Sequence, residues 1–280
     1  MTQLAAPRNT SPGRDLPAAV VVGLVLLGVV AASLFVRKEA FAVVAVVAVG
    51  AAVWELAHAF SRRSIHLPLL PLLVGTAGIL VSAYAAGTEA LFVSFLLTVG
   101  GAVVWRVLDG NGEPALRDAT AAAFAAAYLP FLGGFVMLML AEPDGALRVL
   151  VFILLAVACD TGGYVVGTLL GRHPLAPSVS PKKSWEGLLG SIVLASVVGV
   201  VGVQLAFDGE PLVGVVVALG VVVSATLGDL AESMLKRDLE LKDMGRLLPG
   251  HGGVLDRIDS MLLTAPTVWV LLTVLLPSGG

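Results

Sequence analysis

Runs of about twenty apolar residues recur along this 280-residue sequence, and they restrict the possible folds more than any other feature. A helix that crosses the hydrocarbon core of a bilayer needs roughly twenty such residues. A soluble domain could not cover so much apolar surface, because 58% of the residues are hydrophobic and only 13% are charged. The sequence therefore excludes a soluble enzyme, a disordered chain and a nucleic-acid-binding protein. It predicts an all-α, polytopic integral membrane protein.

The apolar runs predict about nine transmembrane helices. The first run, 16–36, is longer than the apolar core of a removable signal peptide, so we expect it to span the membrane. Residues 1–15 are polar and predict a short disordered tail. Residues 16–145 are predicted to form an N-terminal group of helices, and residues 146–280 a C-terminal catalytic region. The nine predicted spans are 16–36, 40–60, 67–87, 88–108, 118–141, 146–170, 187–207, 211–233 and 258–277.

The distribution of positive charge predicts the orientation of the chain. With nine alternating spans, 14 of the 17 Lys and Arg residues lie on the side of the N-terminus. Arg37, Lys38 and Arg148 lie on the other side. Because Lys and Arg accumulate in cytoplasmic loops, we expect a cytoplasmic N-terminus in an inner or plasma membrane. The two long polar loops, 171–186 and 234–257, then both face the cytoplasm and are the predicted catalytic loops.

Carboxylates inside the predicted spans indicate a functional site. A charged carboxylate at the middle of a membrane helix costs about 2.5–3.5 kcal/mol, so such groups usually face a cavity or a partner. For Glu55, two interpretations stay open: a functional group, or an interfacial or structural partner of His58 one helical turn away. Asp160 also lies inside a span.

The glycines that follow Asp160 also have two interpretations. Gly162 and Gly163 could interrupt the helix and bring polar backbone to a water-filled site. Alternatively, Gly163, Gly167 and Gly171, at four-residue spacing, could form a helix-packing face.

Further acidic residues surround the second long loop. Asp229, Glu232 and Lys236 fall on one stripe of the eighth predicted span, and the carboxylates precede the cation. Asp256 and Asp259 are three residues apart and share a face at the start of the ninth span. Carboxylates combined with substrate phosphates are typical ligands of Mg²⁺, so Asp229, Asp256 and Asp259 are predicted metal ligands. A salt-bridged helix end is the alternative.

Glycines in the same loop could bring backbone close to a phosphate group. Gly250, Gly252 and Gly253 flank His251, and glycine permits close approach of backbone N–H groups to an anion.

These motifs resemble the signature of the phosphatidate cytidylyltransferase family, also called CDP-diacylglycerol synthases. The resemblance covers residues 155–260, and Gly163 and Ser184 stand where the family usually has Ala and Thr. The matching segments are Asp160-Thr-Gly-Gly-Tyr164, Ser180-Pro-Lys182-Lys183-Ser184-Trp185-Glu186-Gly187, Ser233-Met-Leu-Lys236-Arg237, Lys242-Asp243, Pro249-Gly-His251-Gly252-Gly253 and Asp256-Arg257-Ile-Asp259.

The resemblance implies that CTP and phosphatidate react to give CDP-diacylglycerol and pyrophosphate at the membrane. It implies a Mg²⁺ site that includes Asp160 as a further ligand, leaves a second, monovalent cation such as K⁺ open, and suggests a homodimer. For His251, contact with a phosphate and hydrogen bonding within its own loop both stay open. The residues implied to bind the substrates or act in catalysis are Lys182, Lys183, Ser184, Ser233, Lys236, Arg237, Lys242, His251, Gly252, Gly253 and Arg257.

Two other functions stay open at this point. A CTP-dependent polyprenol kinase would share CTP and a lipid acceptor, but a neutral hydroxyl would need a general base. A secondary transporter would place ionisable residues at the middle of the membrane between inverted repeats. The signature around His251 favours cytidylyl transfer over both.

The charge distribution makes one topology testable. With nine spans and a cytoplasmic N-terminus, a reporter fused after Gly280 should be active only outside the cytoplasm. A fusion of the same reporter within the 171–186 loop serves as the cytoplasmic control. Activity of the Gly280 fusion in the cytoplasm would exclude the nine-span count.

Overall fold

The computed structural model describes residues 16–110, 112–245, 247–248 and 252–276. The predicted polar tail, 1–15, lies outside the described residues. The helices are α1 (Leu16–Val36), α2 (Lys38–Ser61), α3 (Leu69–Asp109), α4 (Glu113–Ala126), α5 (Leu132–Ala141), α6 (Gly145–Leu170), α7 (Trp185–Phe207), α8 (Pro211–Asp238) and α9 (Leu255–Leu275). Two short strands, β1 (Pro174–Ala176) and β2 (Ser180–Ser184), lie between α6 and α7.

The long apolar helices confirm the predicted all-α, polytopic membrane architecture. Within the described residues, seven helices are long and apolar enough to cross a membrane. They are α2, α3, the continuous stretch Glu113–Ala141 that includes α4 and α5, and α6 to α9. The helix α1 coincides with the first predicted span. The count of nine spans stays a prediction.

Helix α3 contains a sharp reversal at Gly87. This residue has φ 79° and ψ −159°, a conformation that is accessible to glycine and strained for other residues. The hydroxyl oxygens of Ser82 and Ser94 are 2.7 Å apart, whereas twelve residues of straight helix would separate them by about 18 Å. The two halves of α3 therefore fold back on each other. They coincide with the third and fourth predicted spans, 67–87 and 88–108.

The stretch Glu113–Ala141 forms one continuous helix despite an internal proline. A π-helical turn, Ala127–Phe131, joins α4 to α5 and contains Pro130. Proline lacks a backbone N–H and its ring crowds the preceding turn, so a local widening of the helix accommodates it.

The last four helices pack closely through glycines. A Cβ atom on Gly190 of α7 would lie 2.5 Å from the carbonyl oxygen of Gly162 on α6, and one on Gly214 of α8 would lie 2.5 Å from that of Gly199 on α7. Small residues let helices approach closely in this way. Since α6 continues unbroken through Gly162 and Gly163, these glycines form a packing face and do not interrupt the helix.

Polar contacts separate the two ends of the helix bundle. At one end, Lys38 Nζ donates to the carbonyl oxygen of Pro143 at 3.0 Å, and Arg148 donates to that of Leu276 at 2.7 Å. At the other end, Arg63 donates to the carbonyl oxygen of Asp238 at 3.0 Å. This grouping agrees with the sides that the charge distribution predicts for these residues.

The reversal of α3 can be tested by cross-linking. Ser82→Cys combined with Ser94→Cys, in a Cys159→Ser background, should form an intramolecular disulfide, because the two hydroxyl oxygens lie 2.7 Å apart. Each single-cysteine variant is the control, and gel mobility before and after reduction is the measurement. If the double variant stays reduced under oxidant that acts on other cysteine pairs, α3 is a straight helix.

Candidate active site

A polar cavity of about 410 Å³ lies between α6, α7, α8, α9 and the β1–β2 hairpin. Its volume falls within the usual range for ligand sites, about 300–1,000 Å³. The inner wall is formed by helix residues that include Cys159, Ser191 and Ala225, and the hairpin covers the outer side. The charged side chains that line the cavity are Asp160, Lys182, Lys183, Asp229, Asp256 and Asp259.

The β1–β2 hairpin places two lysines at the cavity. Glu186, in the first turn of α7, accepts hydrogen bonds from the backbone N–H groups of Arg172 and His173 at 3.1 and 3.2 Å, and pairs with His173 Nδ1 at 2.6 Å. Ser184 caps α7 by accepting from the Gly187 N–H at 3.1 Å. The loop is therefore an ordered hairpin, which the sequence did not predict.

The two neighbouring lysines of the hairpin have different surroundings. The Nζ atom of Lys183 lies 2.5 Å from Asp229 Oδ2, so the hairpin is joined to α8. Lys182 is exposed at the cavity and has no ion pair among the described residues. A phosphate group entering the cavity would thus meet one unpaired ammonium group and one that is already bound to a carboxylate.

Lys236 bridges two buried carboxylates. Its Nζ atom lies 2.7 Å from Asp256 Oδ1, and it also bonds Glu232 on the preceding turn. The Glu232 side chain is 3% exposed, and its second oxygen has no hydrogen-bond partner in the described structure. Because an unpaired buried charge is unfavourable, Lys236 neutralises part of the negative charge of these two carboxylates.

Asp256 also organises the turn before α9. Its oxygens accept hydrogen bonds from the backbone N–H of Gly253 at 2.8 Å and of Met244 at 3.1 Å. With Lys236 as a third partner, Asp256 has the contacts of the salt-bridged helix end that was the alternative to a metal ligand.

The remaining two acidic residues of the cavity have fewer partners. Asp259 Oδ1 accepts from the backbone N–H of Ser260 at 2.7 Å. The hydroxyl group of Ser260 donates to Asp160 Oδ2 at 3.4 Å, so Ser260 contacts Asp259 through its backbone and Asp160, on α6, through its side chain.

These carboxylates do not form a preassembled metal cluster. Within the described residues, no group of three or more His, Cys, Asp or Glu side chains is placed to hold a metal ion. The donor chemistry nevertheless fits Mg²⁺, because this ion is commonly bound by one or two carboxylates together with substrate phosphates and water.

The other predicted site residues that the structure describes do not line the cavity. Arg237 donates to the carbonyl oxygen of Ser178 at 2.6 Å and so joins α8 to the hairpin turn. Gly252 has φ 86°, a conformation that favours glycine, which accounts for this residue in the turn. His251 lies outside the described residues. Also away from the cavity wall are Ser233, Lys242, Gly253 and Arg257.

Sequence reasoning missed two polar contacts of the site, and the structure decides against one alternative that stayed open for Glu55. The hydroxyl group of Ser191 donates to the carbonyl oxygen of Cys159 at 2.7 Å, and Ser260 lies beside Asp160. Single serines in apolar helices carry no spacing signal. The partner of Glu55 is the backbone N–H of Leu255, at 2.9 Å, and not His58. The ring of His58 instead contacts that of Trp54 in a tilted arrangement, with 4.1 Å between the ring centroids.

The bundle and its cavity define a polytopic helical membrane protein with a charged cavity lined by its last four helices. The comparison with known proteins is more specific: the chain belongs to the cytidylyltransferase family, whose model matches residues 17–275. The phosphatidate cytidylyltransferase of Mycobacterium leprae is 39% identical over 278 residues, which cover 94% of this chain and 89% of that protein. Its counterpart in Mycobacterium bovis is 35% identical, with 98% of this chain and 93% of that protein covered.

A third relative matches the chain at a comparable identity over a shorter stretch. The phosphatidate cytidylyltransferase of Helicobacter pylori (strain J99) is 38% identical over 200 residues, which cover 66% of this chain and 74% of that protein. The family predicted from the signature residues is thereby confirmed.

The two kinds of lysine at the site should respond differently to substitution. Lys236→Ala leaves Glu232 and Asp256 without their cation, and loss of one partner of a buried pair typically costs about 3–5 kcal/mol. We therefore expect the melting temperature in detergent to fall by several degrees. Lys182→Ala, at the exposed position, should leave it unchanged. Equal melting temperatures for both variants would contradict the bridging role of Lys236.

Proposed function

We propose that this protein is a phosphatidate cytidylyltransferase, which transfers CMP from CTP to phosphatidate. The observation that supports this most directly is the near full-length similarity to relatives of that name, combined with the cavity at the matching motifs. CDP-diacylglycerol and pyrophosphate are the products, and the place of the enzyme is phospholipid biosynthesis.

The reaction needs positioning and charge neutralisation more than acid–base chemistry. An oxygen of the phosphatidate phosphate attacks the α-phosphorus of CTP and forms the new P–O bond. The bond from the α-phosphorus to the bridging oxygen breaks, and pyrophosphate leaves with the electron pair. Since the attacking oxygen is already anionic near neutral pH, no general base has to remove a proton. The protein must instead bring two anions together.

The hairpin lysines are proposed to hold the phosphates. Lys182 and Lys183 lie at the cavity, and both are on the same short strand. An ammonium group that contacts the phosphates reduces the repulsion between the two substrates. Because Lys183 is paired with Asp229, its position is already fixed before a substrate binds.

Asp160, Asp229 and Asp259 are proposed to hold Mg²⁺ together with the substrate phosphates. All three line the cavity, and their hard oxygen donors fit that ion. The ion would supply further neutralisation of the charge on the triphosphate. A second, monovalent cation such as K⁺ stays a hypothesis. We assign Asp256 chiefly to the order of the turn, because its oxygens already contact Lys236 and two backbone N–H groups.

The remaining residues of the signature have supporting roles in this proposal. Arg237 holds the hairpin, and Lys242 and Arg257 are exposed near the loop, where they can meet the charged tail of the nucleotide. His251 is proposed to contact a phosphate and not to act as a general base. Ser184 keeps the α7 end in place, and the backbone of Gly252 and Gly253 forms the turn.

The cavity is consistent with substrates that arrive from two phases. Its inner wall consists of membrane-helix residues, and its outer wall consists of the polar hairpin. We propose that the lipid headgroup enters from the bilayer and that CTP enters from the cytoplasm. The protein would then be a multi-pass protein of the inner or plasma membrane with a cytoplasmic active site, and it would work as a homodimer.

A labelling experiment tests the proposed function against the two alternatives. Purified protein is incubated with phosphatidate vesicles, Mg²⁺ and CTP labelled at the α-phosphate, and we expect label in the lipid fraction. Label that stays in CDP would indicate a kinase. No turnover of any nucleotide would exclude the cytidylyltransferase and favour a transporter.

Asparagine variants separate the roles of the carboxylates. Asp229→Asn and Asp259→Asn should fold normally, lose nearly all turnover and need more Mg²⁺ for the remaining activity, because each loses a negative charge next to the ion. Asp256→Asn should melt earlier, since it weakens three contacts. Thermal stability and Mg²⁺ titration are measured on the same preparations. Normal Mg²⁺ dependence in both Asp229→Asn and Asp259→Asn would end the metal assignment.

A further inference from the structure

We propose that Glu55, on α2, is a positioning residue that holds Gly245 and Gly253 of the 239–254 loop, and the start of α9, in the arrangement that the reaction needs. This inference rests on the proposed function, because the loop leads to Asp256 and Asp259 at the cavity. It assigns a role in the reaction to a residue from the N-terminal group of helices, which lines no part of the cavity.

The carboxylate of Glu55 is almost completely buried. The residue is 1% exposed, and its Oε2 atom accepts a hydrogen bond from the backbone N–H of Leu255 at 2.9 Å. Leu255 is the first residue of α9, so this N–H is one of those that the helix itself leaves without a partner. A negative charge at a helix N-terminus is also favoured by the helix dipole.

Two glycines of the loop make room for this carboxylate. A Cβ atom on Gly253 would lie 2.6 Å from Glu55 Oε2, and one on Gly245 would have Glu55 side-chain atoms as its three nearest neighbours. Gly245 and Gly253 lie eight residues apart in the 239–254 loop. Glu55 therefore contacts both sides of the turn, and glycine at these positions is explained by contact with Glu55, since neither has a positive φ.

The contact is placed to control the cavity. Gly253 donates to Asp256 Oδ2 at 2.8 Å, and the residue bonded by Glu55 lies between these two in sequence. A displacement of this turn would shift Asp256 and, one turn further along α9, Asp259. Misplacement of a reacting group by about 1 Å can lower a rate on the order of a hundredfold.

The second oxygen of Glu55 also indicates a role beyond helix packing. Within the described structure, Glu55 Oε1 is buried without a hydrogen-bond partner, although most buried polar atoms have one. If this position served only helix packing, an apolar side chain would fill it without the free-energy cost of burying a carboxylate. Its apolar neighbour Leu56, which is also fully buried, shows that α2 provides such packing next to Glu55.

The first test compares Glu55→Ala with Leu56→Ala. Both variants lose a buried side chain of the same helix, but only the first releases Leu255. For Glu55→Ala we expect kcat per folded molecule to fall at least about tenfold, with KM for phosphatidate within about twofold of the wild type. Glu55→Gln keeps an oxygen that can accept from Leu255 and should retain most of the activity. Leu56→Ala should lower thermal stability and keep kcat per folded molecule.

The second test uses the space at Gly245 and decides the question if Glu55→Ala fails to fold. Gly245→Ala should lower kcat at least about tenfold, because the added methyl group collides with Glu55. Glu55→Asp shortens the side chain by one carbon atom and keeps the carboxylate. The Gly245→Ala, Glu55→Asp double variant should be at least about fivefold more active than Gly245→Ala alone. Such a recovery would show energetic coupling between these neighbouring residues.

The outcomes separate this proposal from the proposed function. If the wild-type protein yields no labelled lipid, the function itself is wrong. If the wild type is active but Glu55→Ala has the kcat of Leu56→Ala, Glu55 has no positioning role. The same conclusion follows if the Gly245→Ala, Glu55→Asp double variant is no more active than Gly245→Ala.

Discussion

The contacts of Lys236 with Asp256 and Glu232 are the interaction on which the rest of the active site depends. They join α8 to the first turn of α9, and these two helices carry Asp229 and Asp259. In the low-dielectric interior of a membrane protein, several carboxylates near one cavity repel each other strongly unless a cation lies among them. Lys236 and Lys183 supply that charge from the protein itself. The site can therefore fold before any metal or nucleotide is bound, and the substrates enter an arrangement that already exists.

Close helix packing makes the cavity possible. Glycines at the α6–α7 and α7–α8 contacts bring the backbones together, as at Gly162 with Gly190 and at Gly199 with Gly214. The polar side chains of these helices that line the cavity lie where the β1–β2 hairpin covers them. A bilayer requires that backbone groups be paired within helices, so the irregular, polar segments of the chain are confined to the ends of the bundle. The two long polar loops, 171–186 and 234–257, which the sequence predicts to be catalytic, lie at one such end.

The N-terminal helices contribute to the site without lining it. Helix α2 and the turn that follows it contact both ends of the 239–254 loop. The turn does so through Arg63 with Asp238 and Glu240, and the helix through Glu55 with Leu255. The exposed ion pair of Arg63 adds little by itself, whereas the buried contact of Glu55 replaces a hydrogen bond that α9 cannot make internally. The similarity over residues 17–275 thus agrees with a protein whose two groups of helices form one functional unit.

The sequence by itself determined the class, the family and the residue types of the site. Long apolar runs identify membrane-spanning helices directly. Residues spaced one turn apart on one helix, such as Asp256 and Asp259, share a face however the helices pack. Only the tertiary structure decided which groups meet. It paired Asp256 with Lys236, Asp229 with Lys183 and Glu55 with Leu255. It also directed the side chain of Arg237, on α8, to the hairpin turn and not to the cavity. Such contacts join residues up to 200 positions apart, and periodicity carries no information about them because it describes each helix alone.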